Sequence, residues 1–209
     1  MIKKRIKLKN PTLILLLVLI PILAILLVTG ESLEKEEIKD PAHITESTIT
    51  ESLPVVNTKE IIINPYVGQN ITVGKGYYDY KGEEETQQKS IVVHDNTYLQ
   101  NTGIDYISSN PFEVVSILEG SVINVKEDES LGKTIEIKHD NNLVSSYQSL
   151  SEITVKKGDT VNQGQVIGKS GTNELDKDLG NHLHFEIYAN GQTANPNNYL
   201  NKEVETKKN

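Results

Sequence analysis

Cysteine is absent from the 209 residues, so neither a disulfide framework nor a thiolate metal site is available. Tryptophan is absent as well, and the aromatic content is tyrosine-led, with nine Tyr against two Phe. Acidic residues are missing from one region altogether. Residues 1–30 hold five basic groups (Lys3, Lys4, Arg5, Lys7, Lys9) and no Asp or Glu. The remainder therefore carries 16 basic against 29 acidic side chains, a net of −13. An acidic body argues against nucleic acid as a partner.

From Pro11 to Gly30 charge of either sign is missing. An uncharged stretch of that length matches the ~20 residues a helix needs to cross the hydrocarbon layer. The expectation is a basic cytoplasmic tail over 1–10 and a transmembrane helix over 11–30. By the positive-inside bias the body then lies on the extracytoplasmic side, making this a single-pass membrane protein. A cleaved signal peptide is the competing reading. Val28-Thr29-Gly30 is a poor small-residue cleavage site, which favours an uncleaved anchor. Residues 31–54 mix Glu, Lys, Ser and Thr with Pro41 and Pro54 and show no sustained period, so they read as a flexible linker.

From residue 55 the texture changes to short β-type runs separated by turn signals such as Gly74-Lys75-Gly76, Glu119-Gly120, Gly158-Asp159 and Asn190-Gly191. The runs include Glu60–Ile63, Asn70–Val73, Lys89–Val93, Glu113–Ile117, Ser121–Val125, Thr134–His139, Leu143–Tyr147, Val166–Gly168 and His182–Tyr188. No amphipathic helix interrupts them. The expected fold class is an all-β domain over 55–200, followed by a frayed polar tail at 201–209. The loop Val155 to Gly168 is like that of biotin and lipoyl carriers, but no modifiable Lys sits in an apolar frame at a hairpin tip.

The chemistry-bearing stretch is Gly180-Asn181-His182-Leu183-His184-Phe185-Glu186. Strand side chains alternate faces, so His182 and His184 point one way while Leu183 and Phe185 point to a core. Two imidazoles on one strand suit a metal site or an acid–base pair, and equally suit two half-buried structural histidines. Asp105, after Gly103, is a plausible third ligand, since a hydrolytic zinc site usually uses three protein ligands.

Several motifs occur together over about 100 residues: Gly103-Ile104-Asp105, Glu119-Gly120-Ser121-Val122, Ile135 to Asp140, Val155 to Gly168, Gly180 to Glu186, and Asn195-Pro196 before Tyr199-Leu200. In this order they resemble the M23, or LytM-like, zinc metallopeptidases. The resemblance implies a two-layer antiparallel β fold with a groove over one sheet, in which peptide cross-bridges of the cell wall are cleaved. It also implies site roles. Asp105 and His184 match two zinc ligands, and His182 matches one catalytic histidine. Asn101 stands where the family has its first zinc-binding His, and Ser149 where it has its other catalytic His.

A carboxamide is a poor zinc donor, and serine cannot shuttle a proton near neutral pH as histidine does. The expectation is a degenerate site with no cofactor, zinc entering only if the site is rebuilt into a working endopeptidase. Among other histidines, His43 falls in the linker, His139 reads as a solvated strand end, and His94 is the best substitute ligand.

The layout of basic tail, span, linker and altered M23-like domain further resembles the sporulation branch of that family. That resemblance implies a forespore membrane protein with its body between the two membranes. Its implied partner is a stage III sporulation protein AH-like protein of the mother-cell membrane, in a channel-like connection for which a ring-like hetero-oligomer is a candidate arrangement, with peptidoglycan a further candidate ligand. Docking is expected at sheet edges, for which Ser121–Val125 and the 134–147 hairpin are candidates, with Glu127 and Asp128 as contact residues.

Overall fold

A computed structural model describes residues 56–140 and 142–208. The expected cytoplasmic tail (1–10), transmembrane helix (11–30) and linker (31–54) lie outside the described residues. Within them no helix is long and apolar enough to cross a membrane.

Among the described residues fifteen strands carry the fold: β1 (Val56–Ile61), β2 (Tyr66–Val67), β3 (Thr72–Lys75), β4 (Ile91–His94), β5 (Thr97–Gln100), β6 (Ile104–Ile107), β7 (Glu113–Val115), β8 (Gly120–Asp128), β9 (Gly132–Lys138), β10 (Leu143–Ile153), β11 (Thr160–Val161), β12 (Val166–Ser170), β13 (His182–Ala189), β14 (Gln192–Ala194) and β15 (Glu203–Lys208). The all-β expectation holds with one amendment. A six-residue helix, α1 (Glu84–Lys89), follows β3, and single 3-10 turns occur at Lys177–Leu179 and Pro196–Asn198.

Eleven strands form one continuous antiparallel sheet that forks at β10. The first part of β10 pairs with β13, which continues to β6 and then β3. Its end pairs with β12, and from there the sheet runs to β7 and β2. On its other side β10 pairs with β9, and β9 with β8. The fork sits where the pairing register shifts between Tyr147 and Leu150. Ser149, at this bulge, has φ +64°, a left-handed conformation that L-residues rarely adopt. A bulge bends its strand and re-aims a side chain, and here it lets one strand serve two arms.

The arms enclose a core that includes Val114, Ile117, Ile135, Ile137, Tyr147, Leu150, Ile167, Leu183, Phe185 and Ile187. Tyr147 and Phe185 pack with ring centroids 5.3 Å apart. The Tyr147 hydroxyl, fully buried, accepts from the Ile117 amide at 3.0 Å and from Ser145 Oγ at 3.1 Å. Burial drives its pKa up to about 12, so it stays a neutral hydrogen-bonding group.

Three local expectations change. The C-terminal residues form β15, paired with β1 from Ile61↔Glu203 to Val56↔Lys208, in place of a frayed tail. Backbone pairing needs no apolar side chains, and β1 supplies the missing partner from the other end of the domain. The 134–147 hairpin is interior, because β9 and β10 each have strands on both sides. β8 is an edge beyond its two-residue pairing with β11, and there Asp128 Oδ1 accepts from the amides of Ser130 and Leu131 at 2.9 Å, capping the β8–β9 turn. His139 is buried and not a solvated strand end. Its Nδ1 faces the Glu119 carbonyl at 2.8 Å and its Nε2 faces Ser145 Oγ at 2.7 Å. Gly120 makes room for the ring, since a Cβ there would come within 2.7 Å of Nδ1.

Candidate functional site

β13 places its side chains as the alternation requires. Leu183, Phe185 and Ile187 enter the core, while His182, His184 and Glu186 share the opposite face. Neighbouring strands complete the row: Gln148 on β10 and Asp105 on β6 are the register partners of His184. Gly103 allows this approach, because a Cβ there would lie 2.3 Å from the Phe185 carbonyl oxygen. The five positions singled out from the sequence fall into two adjoining clusters.

The first cluster is ionic. His184 Nδ1 lies 2.8 Å from Asp105 Oδ1, and its Nε2 lies 3.4 Å from Glu186 Oε1. Burial alone would push the imidazole pKa down. The charges and hydrogen bonds of Asp105 and Glu186 outweigh it and lift the pKa to about 10, so the ring is an imidazolium at neutral pH. Burial likewise opposes ionisation of Glu186. The His184 partner, with the hydroxyls of Thr102 and Tyr188, lowers its pKa to about 2. Gln148 Nε2 donates to Glu186 Oε2 at 3.0 Å, Tyr188 OH donates to the same oxygen at 2.8 Å, and Thr102 Oγ1 donates to Oε1.

Asn101 adjoins this cluster through its Nδ2, which donates to Asp105 Oδ2 at 2.9 Å, to the Gly76 carbonyl at 2.9 Å and to the Gly103 carbonyl at 3.1 Å. All three partners are acceptors, so a flipped amide would set oxygen against oxygen three times. The carboxamide oxygen therefore does not face the cluster. His184 has a carboxylate on each nitrogen, and Asn101 offers N–H where the family pattern has a ligating imidazole. As placed, these side chains do not fit a zinc ion, which needs deprotonated donors converging on one point.

The second cluster is a hydrogen-bonded chain without a carboxylate. His182 Nδ1 faces the Gly180 carbonyl at 2.8 Å, so this nitrogen donates, and Nε2 lies 2.9 Å from Ser149 Oγ. Asn173 Nδ2 donates to Ser149 Oγ at 2.8 Å, and Asn173 Oδ1 accepts from the Asp176 amide at 2.8 Å. Ser149 and His182 are both fully buried. Asp176 closes the loop against Lys75 with an ion pair of 2.5 Å.

Six residues of the two clusters had no role assigned from the sequence: Thr102, Gln148, Asn173, Asp176, Glu186 and Tyr188. Glu186 was legible, since the period of two that links His182 to His184 reaches it next. Gln148 is the immediate neighbour of Ser149. Asn173 lies in a loop with no periodic signal. His94, the candidate substitute ligand, stands on the β4–β5 hairpin with its Nε2 3.4 Å from Asp95 and joins neither cluster.

Residues 99–196 match peptidase family M23, and the chain belongs to that family. More particularly, it is 35% identical to stage II sporulation protein Q of Bacillus subtilis over 182 residues, covering 83% of this chain and 64% of that protein. A chain of the SpoIIQ-SpoIIIAH pore forming complex is 40% identical and superposes with a TM-score of 0.67, over 69% of this chain and 94% of that one. The peptidoglycan DD-endopeptidase ShyA of Vibrio cholerae is 33% identical over 95 residues, 46% of this chain and 22% of the enzyme. The chain thus spans less than two thirds of the curated relatives it matches.

Proposed function

We propose that this chain is a membrane-anchored M23 domain that has no peptidase activity and acts as a protein-interaction module in sporulation. Its body occupies the space between forespore and mother cell and binds a stage III sporulation protein AH-like partner from the opposing membrane, within a channel-like, ring-forming assembly. The observation that carries the interaction is the 40% identity, over 94% of its length, to a chain of the SpoIIQ-SpoIIIAH complex. The absence of catalysis rests on Asn101, whose N–H is turned to Asp105, and on Ser149, which stands in place of a proton-shuttling histidine. Losing one preorganised transition-state donor commonly costs ~2.7–4 kcal/mol of barrier, and here a ligand position is altered too. No resident cofactor is expected.

The test is a pull-down of the full chain with the AH-like partner, with and without added zinc, alongside zinc analysis and digestion of purified cell wall. Co-purification independent of zinc and no muropeptide release are expected. Stoichiometric tight zinc together with muropeptide release overturns the inactive reading. The retained Asp105, His182 and His184 favour one alternative, a zinc endopeptidase with a rebuilt site. A wall-cleaving activity abolished by His182→Ala would establish it.

A further inference from the structure

Residues 76–100 form an insertion between β3 and β6 that carries α1 and the β4–β5 hairpin. This insertion has almost no core of its own. Only Ser90 and Val92 within it are buried, and α1 buries nothing. A helix this short and an isolated two-stranded hairpin are each marginal in water. β4 and β5 pair only with each other, about a tight turn in which Asp95 and Asn96 both have positive φ. Tyr80, Val93 and Tyr98 are each more than half exposed, so side-chain packing does little to hold the segment down.

What holds it is a set of bonds at its base, and they converge on one residue. The Asn101 amide donates to the Ser90 carbonyl at 3.0 Å, and the Asn101 carbonyl accepts from the Tyr78 amide at 2.8 Å. The side-chain Nδ2 reaches the carbonyl of Gly76, the first residue of the insertion. Inside the segment Gln87 ties the turn before α1 together, donating from Nε2 to the carbonyls of Asp79 and Gly82 at 3.0 Å.

We infer that Asn101 is the positioning residue that fastens the 76–100 insertion to the buried Asp105–His184 cluster. Its single nitrogen carries two hydrogens and serves three acceptors, one on the insertion, one on the chain leading into β6 and one on the cluster itself. An imidazole at this position has its two nitrogens on different edges of the ring and cannot serve all three from one point. Position 101 has therefore exchanged ligation for anchorage, and a histidine there unfastens the insertion. These contacts are internal to the domain and do not depend on the identity of the partner.

Hydrogen exchange on the full chain tests it. In Asn101→Ala, amides in peptides covering 77–100 are expected to exchange about tenfold faster or more, while peptides from β9 and β10 keep their rates. Gln148→Ala removes an amide from the other side of the same cluster and is expected to leave 77–100 unchanged. Uniform acceleration across the domain, or none in 77–100, overturns the inference, as does an equal response to Gln148→Ala. A second variant reads the exchange of roles directly. In Asn101→His, with or without added zinc, 77–100 is expected to lose protection as in Asn101→Ala, and an insertion that stays protected overturns the anchoring role.

Discussion

The two clusters on the β13 face solve the same problem with different chemistry. Around His184 the family pattern has a metal, and two carboxylates remain there with a charge to balance. An imidazolium between Asp105 and Glu186 balances it, and four uncharged donors (Thr102, Gln148, Tyr188 and Asn101) satisfy the remaining oxygens. Around His182 the change at position 149 removes an imidazole and leaves no charge unbalanced. A hydroxyl and one loop amide suffice. Among the described residues only Thr134 Oγ1 is a buried side-chain polar atom without a partner. Both clusters are thus internally satisfied, but one is built around two carboxylates and the other contains none.

That contrast can be broken most forcefully at Asp105. Asp105→Ala leaves a buried imidazolium with one carboxylate fewer and is expected to cost about 3–5 kcal/mol, read as a lowered denaturation midpoint. An unchanged midpoint would show that the ionic cluster is not what holds β6 to β13.

The pH dependence of stability separates charged from neutral histidines. His184 has a raised pKa, so its contribution is complete below the unfolded value of about 6.5 and is lost as pH rises through about 10. His139 behaves oppositely. Burial lowers its pKa against the pull of Glu119 and Asp140, so its contribution is complete above about 6.5 and is lost as pH falls below that. Denaturant titrations across pH should show the alkaline limb flattened in His184→Gln and the acid limb flattened in His139→Gln. Flattening of the same limb in both would contradict the assignment.

In the His182–Ser149 cluster the expected effects are smaller. Ser149→Ala leaves His182 Nε2 and Asn173 Nδ2 without their partner and should cost about 1–3 kcal/mol. Ser149→Gly loses the same hydroxyl but suits the left-handed backbone, so it should be milder than the alanine variant by about 1 kcal/mol. Reversal of that order would mean that the left-handed backbone at the bulge adds nothing to the cost. Least of all, Thr102→Val removes one of several donors to Glu186 from a solvent-exposed residue and should cost about 0.5–1 kcal/mol.

Much of this contrast was already legible along the chain. The alternation over His182–Tyr188 placed both histidines on one face, and the motif order pointed to Asp105, Asn101 and Ser149. Other elements were not legible. Ile104–Ile107 is a strand with a buried aspartate in it, a pattern that composition reads as a turn followed by a loop. β15 is polar apart from Val204, too little of a pattern to mark a strand, and exists because β1 lies beside it. His139 looks like a strand end in sequence, and only the glycine opposite it shows why the ring can be buried.

By itself, then, the sequence determined which faces of which strands carry chemistry, because a period of two is a local property of the backbone. It also determined that positions 101 and 149 differ from the family's histidines. Only the tertiary structure decided what those two residues do instead. The direction of the Asn101 amide depends on acceptors contributed by Gly76, Gly103 and Asp105, and the aim of Ser149 depends on a bulge set by pairing with distant strands. Hydrogen-bond partners and strand register are non-local, and no window of sequence contains them.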